Sequence, residues 1–163
     1  NRSLESGYFW HGVGRAHYFR MKSMLPSTSA PWVSLSDALL VAPDAVARAN
    51  VIAGYMWAFT LVNMRTPELL DLFLSLHLDM LTSATNFGID PVVNGICSCL
   101  QMRVETMPKD ETLRGFVARS HGRRLAVVLP CLIVFEAASS LPVDVLPLST
   151  SMEELFHYRR QFY

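Results

Sequence analysis

Residues 43–82 read PDAVARANVIAGYMWAFTLVNMRTPELLDLFLSLHLDMLT, and this stretch decides the fold class. Over residues 43–64 the apolar side chains Val46, Ile52, Tyr55, Met56, Phe59 and Val62 recur near i, i+3, i+4 spacing, which predicts a long, well-buried helix. Pro43 suits its first position, where the missing N–H donor has no helical partner to lose. Thr66-Pro67-Glu68 opens a second helix in the same way, with Thr66 as N-cap and Glu68 at the positive end of the dipole. Along residues 69–82 the polar residues Asp71, Ser75 and Asp79 return every fourth position. Leucines, Phe73 and Met80 take most of the circumference, so only a narrow stripe is left for water.

Towards the C-terminus, Asn86-Phe87-Gly88 is a helix stop with glycine available for a left-handed turn, and Asp90-Pro91 begins a third helix. That helix carries Val92, Val93, Ile96, Leu100 and Met102. Residues 109–121 place Leu113, Phe116 and Val117 on one side and charges elsewhere, a short amphipathic surface helix closed by Gly122. Residues 125–129 are strand-like and 131–138 helix-like; Pro130 between them reads as the break or the start of a helix. Pro142 and Pro147 make residues 141–149 an extended connector, and Ser151 with Glu154 forms a capping box for a short final helix through Phe162.

Towards the N-terminus the pattern weakens. Tyr8, Phe9, Trp10, Tyr18, Phe19 and Trp32 are interrupted by Gly7, Gly12, Gly14, Pro26 and Pro31. Residues 1–35 therefore read as an irregular, aromatic-rich arm with room for one helix, lying on the core or on a neighbouring chain because its rings are costly to leave in water. The expectation is an all-α fold, a compact bundle of about five to six helices, with the arm over 1–35, a single helical domain over 36–163 and a short C-terminal helix.

A chain of 163 residues is one ordinary domain, able to bury roughly 70% of its unfolded surface. Its composition is richer in apolar residues than that requires: 51% apolar without glycine and 17% charged, against about 45–50% with glycine and about 25% in typical domains. Charge depletion with many Met, aromatic and Arg residues is what protein interfaces show. The chain has 8 Met, and its cations are all Arg except Lys22 and Lys109. Arg tolerates partly buried and stacked contacts better than Lys does; a genome that favours Arg codons gives the same bias without a structural reason. A formal net charge of zero provides no global field to recruit nucleic acid or an anionic membrane.

Cys97, Cys99 and Cys131 form an odd, sparse set, unlike a disulfide-stapled secreted scaffold, so an intracellular, reducing compartment is expected, with an organelle or a virus particle within that range. The chain begins at Asn1, which fits processing or excision from a longer protein. The longest uncharged apolar runs, residues 51–62 and 125–135, fall short of the roughly 20 residues that span a bilayer, so no transmembrane span is expected.

Chemical constellations are scarce. His11, His17, His77, His121 and His157 include no i, i+4 pair of the kind that grips zinc on one helix face. Cys97 and Cys99, two apart on a helix, point about 200° away from each other. Asp71 and Asp79 share a stripe but lie about 12 Å apart, beyond the reach of paired catalytic carboxylates. There is no G-x-S-x-G turn, Ser120-His121 is mere adjacency, and residues 11–15 lack both the Walker and the dinucleotide glycine patterns. No cofactor or metal is expected.

Two basic groups remain. Arg114, Arg119, Arg123 and Arg124 surround the end of the amphipathic helix and form the candidate anion site, although cations at a helix C-terminus also serve the dipole. Tyr158, Arg159, Arg160 and Phe162 interleave rings and guanidiniums, as protein hot spots and single-stranded nucleic-acid surfaces do. With Tyr8, Phe9 and Trp10 they are the candidate partner contacts. The composition favours a noncatalytic structural or assembly subunit, organellar or viral, held by other protein chains in a homo- or hetero-oligomer. An RNA- or polyanion-binding module using the Arg cluster is the first alternative, and an enzyme with a site assembled from distant residues such as His11, His77 and Asp71 the second.

Overall fold

The computed structural model describes residues 2–20, 29–107 and 110–120. The expectations for residues 125–140, the proline-rich connector and the C-terminal capping box lie outside these residues. Among the described residues 83% are helical and none is in a strand, so the fold is all-α. Among the described residues six helices follow one another: α1 (Arg2–Tyr18), α2 (Ala30–Val41), α3 (Ala45–Val62), α4 (Pro67–Ser83), α5 (Asp90–Thr106) and α6 (Glu111–Ser120).

The central element is α3. It starts two residues later than Pro43 suggests, because Asp44 takes the cap: its carboxylate accepts the Ala47 N–H at 2.8 Å, which satisfies one of the orphan donors of the first turn. Almost every side chain from Ala47 to Thr60 is buried. The two polar ones inside, Asn50 and Thr60, donate to the carbonyls of Val46 and Met56 one turn back, at 3.0 and 2.7 Å, so neither carries the cost of an unmet buried donor.

Helices α1 and α5 both pack on α3, and glycines set how closely. A Cβ on Gly14 of α1 would overlap the carbonyl oxygen of Val51, one on Gly54 of α3 that of His11, and one on Gly95 of α5 that of Ala53. Backbone therefore meets backbone at both crossings. The helix for which the N-terminal arm had room is α1, and it lies on the core. It runs unbroken for 17 residues; Gly7 and Gly14 are buried against neighbouring elements rather than breaking the chain, and the packing gained outweighs the roughly 1 kcal/mol that each helical glycine costs.

Helix α2, with Ser29 before it and proline in its first turn, was not anticipated. It is tied in by reciprocal bonds: Ser34 Oγ donates to the His17 carbonyl at 2.5 Å, and His17 Nδ1 lies 3.2 Å from the Ser34 carbonyl. Tyr55 Oη donates to the Pro31 carbonyl. An aromatic cluster then links α1, α3 and α4, with Tyr18 at 5.3 Å from both Tyr55 and Phe59, and Phe59 at 4.9 Å from Phe73, in tilted or edge-on geometry that ring quadrupoles favour.

Helix α4 begins at Pro67 as expected, but the Thr66 hydroxyl makes no capping bond. Gly88, at φ +56°, supplies the left-handed residue of the α4–α5 turn. Asp110 fixes the last turn of the fold: it pairs with Arg103 of α5 and accepts the Thr112 N–H at 2.9 Å, so one carboxylate joins α5 to the start of α6. Burial raises the Asp110 pKa, but the bonds from Arg103 and Thr112 outweigh it and hold the carboxyl below its ordinary value.

Candidate interaction surfaces

The three histidines among the described residues lie in helix contacts. His11 sits against Gly54 in the α1–α3 crossing, where burial first and the Arg15 charge second lower its pKa to about 4. His17 bridges α1 and α2, and burial and Arg20 lower it against the opposing pull of Ser34 and Asp37. His77 of α4 stacks on Trp32 of α2 at 4.4 Å and abuts Phe73 at 5.0 Å; burial lowers it too. His11 and His77 thus belong to different contacts, and Asp71 is six residues from His77, about 240° around α4. The structure does not assemble these three into one site. Among the described residues no group of three or more His, Cys, Asp or Glu could hold a metal ion.

Half-buried Arg15 and Arg103 both lie close enough to buried Cys99 to act on its thiol. The Arg15 guanidinium lies over the Trp57 ring at 3.8 Å, a cation–π contact. Cys99 is fully buried, and burial pushes its thiol up to about 12 against the lowering effect of Arg103 and Arg15. A thiol so far from ionisation is no nucleophile.

Of the anion-binding candidates, Arg114 and Arg119 are described and both are exposed. Five residues apart, they point about 140° away from each other on α6. Arg119 is committed within the fold: its Nε donates to the Gly115 carbonyl and a terminal nitrogen to the Arg65 carbonyl at 2.6 Å. Arg123 and Arg124 lie outside the described residues, as do Tyr158, Arg159, Arg160 and Phe162.

The aromatic candidates at the N-terminus divide. Trp10 is half-buried and packs against the core, whereas Tyr8 and Phe9 are exposed, Phe9 at 61%. Phe9, Gly12 and Ala16 follow at three- and four-residue steps and are all exposed, as is Phe19 in the turn just after the helix, so they form an outer apolar face at α1.

Two further apolar surfaces escaped the sequence. Helix α2 exposes Val33, Val41 and Leu40, the last at 83%; the signal that could have located α2 was Ser29 followed by Pro31. Helix α4 buries Leu70, Phe73, Leu74 and Leu81 but exposes Leu69, Leu72, Leu76 and Met80. This corrects the expectation that only the Asp71–Ser75–Asp79 stripe faces water. The four exposed residues recur at i, i+3, i+7, i+11, a continuous stripe on one side of the helix.

One helix among the described residues, Ala45–Val62, is long and apolar enough to cross a membrane by length and composition, and 67% of it is buried inside the protein. No protein-family model matches the chain, and no curated protein or solved structure matches it.

Proposed function

We propose that this chain is a noncatalytic structural or assembly subunit that works through protein–protein contacts. The observation that carries the reading is the exposure of large apolar side chains on helices whose other faces are firmly packed: Tyr8 and Phe9 on α1, with Phe19 just past its end, and Val33, Leu40 and Val41 on α2. Single exposed apolar residues are normal, but runs along one helix face mark interaction sites. Both helices are bonded to the core through His17, Ser34 and Tyr55, so the exposed residues are held on rigid elements.

The test is light scattering of the purified chain across a concentration series at low and high salt, with Phe9→Lys and Leu40→Lys alongside. The expected result is association that does not weaken with salt and falls at least tenfold in affinity with either substitution. A wild-type chain that stays monomeric at high micromolar concentration and binds no apolar dye overturns the reading. Association that instead weakens steeply with salt points to the polyanion-binding alternative.

A further inference from the structure

We infer that the outer surface shared by α2 and α4, centred on the Trp32–His77 stack, docks a cationic amphipathic helix of another protein chain. This rests on the assembly reading and gives one partner its chemistry. Trp32 of α2 and His77 of α4 stack at 4.4 Å and both are half-buried, so the two helices meet at this ring pair and one side of the pair reaches solvent. Apolar side chains stand on either side of it. On α4, Leu76 adjoins His77 and Met80 lies one turn further on; on α2, Val33 adjoins Trp32 and Leu40 lies two turns beyond. All four are exposed, and helical spacing sets each within about 100° of the ring on its own helix. The two rows therefore turn outwards together. A half-buried aromatic seam between two exposed apolar rows is the kind of surface on which a helix lays its apolar face.

Charge selects the occupant. Helices α2 and α4 carry Asp37, Glu68, Asp71 and Asp79 and neither a Lys nor an Arg. Glu68 and Asp71 are already engaged within the chain, which leaves Asp37 and Asp79 to meet a ligand. Each belongs to an apolar row: Val33, Asp37 and Leu40 follow at four- and three-residue steps on α2, and Leu72, Leu76 and Asp79 do so on α4. Asp79 is exposed and Asp37 half-buried, and the Asp37 charge also reaches His17. His77 adds no opposing charge at neutral pH, since burial lowers its pKa. Arg119 is bonded to the Arg65 carbonyl beside the N-terminal end of α4, whereas Asp79 lies towards the other end. The surface is thus apolar and acidic around the ring pair. An anionic helix or an anionic membrane meets like charge there, and a second copy docked by the same surface sets acid against acid; Lys or Arg beside an apolar helix face is complementary.

The experiment titrates the full chain into two dye-labelled helical peptides that share one leucine face, one with lysine and the other with glutamate at every polar position, and follows fluorescence anisotropy. The expected result is that the lysine peptide binds at least about tenfold more tightly than the glutamate peptide. Asp79→Asn and Leu76→Gln should each weaken the lysine peptide severalfold, and Phe9→Ser on α1 should leave it unchanged. Both α4 positions are exposed, so these variants keep the fold, which circular dichroism checks. Equal binding of the two peptides, binding of the lysine peptide that ignores both α4 substitutions, or no binding of either peptide overturns the inference. Light scattering of the chain alone reads the assembly proposal separately: self-association without peptide binding sinks only the inference, and peptide binding by a chain that stays monomeric upholds it.

Discussion

Gly12 and Gly14 stand two positions apart on α1 with the same intrinsic cost to a helix, yet a methyl group added at each meets different surroundings. At Gly12 nothing lies within 4 Å, whereas at Gly14 the added carbon overlaps the backbone of α3. Gly12→Ala, and equally Gly115→Ala in α6, is expected to raise stability by about 0.5–1 kcal/mol. Gly54→Ala should lower it by about 3 kcal/mol, because the obstacle is the His11 carbonyl and only separation of two helices relieves it. Urea unfolding midpoints with unchanged slopes check both signs. His11 gives a second residue-scale expectation. Its folded pKa of about 4 lies below the ordinary value of 6.5, so between these values the unfolded chain takes up a proton that the folded chain refuses. Stability is therefore level above about pH 6.5 and falls by on the order of 3 kcal/mol as pH drops to about 4. His17 and His77 shift in the same direction and add to the slope. Chemical unfolding at pH 7 and pH 4.5 should show His11→Gln losing a substantial part of the difference.

Helices begin where their first turns find acceptors and end where the backbone turns away, and these local rules were the legible part of the fold. Pro67, Pro91 and Gly88 mark boundaries that the structure keeps. Asp44, overlooked beside Pro43, is the actual cap of α3, and Asp44→Ala is expected to cost about 1 kcal/mol of stability; Thr66→Ala should cost much less, since its hydroxyl makes no capping bond. Thermal unfolding of the two variants side by side separates them. The failures have equally local causes. Gly14 looked like a break because propensity cannot register the backbone contact that makes a glycine favourable. On α4, Leu72 and Leu74 are chemically identical, and only the position of α3 decides that one faces water while the other is buried.

At the scale of the molecule, periodicity pointed to a helical protein and composition to more apolar residues than one core needs, and among the described residues the outer faces of α1, α2 and α4 expose large apolar side chains. What composition could not do was locate them. Leu40 and Leu35 belong to the same helix and the same residue type, one 83% exposed and the other fully buried. A histidine reading based on spacing likewise could not foresee that His17 and His77 would be taken up by contacts between helices. Arg119 shows the same limit, since its carbonyl partner on Arg65 is 54 positions away and no local pattern announces it.

The enclosure of α3 sets a hierarchy in time as well as in space. With α1 and α5 on its backbone and its side chains buried on nearly every face, α3 cannot be bared without dismantling the rest, whereas α6 and the outer half of α4 can loosen alone. Deuterium should therefore enter the amides of residues 51–59 last, and only through complete unfolding. Their exchange rates would then follow global stability one for one across the glycine variants, while the outer amides of α4 and α6 exchange early and are indifferent to those substitutions.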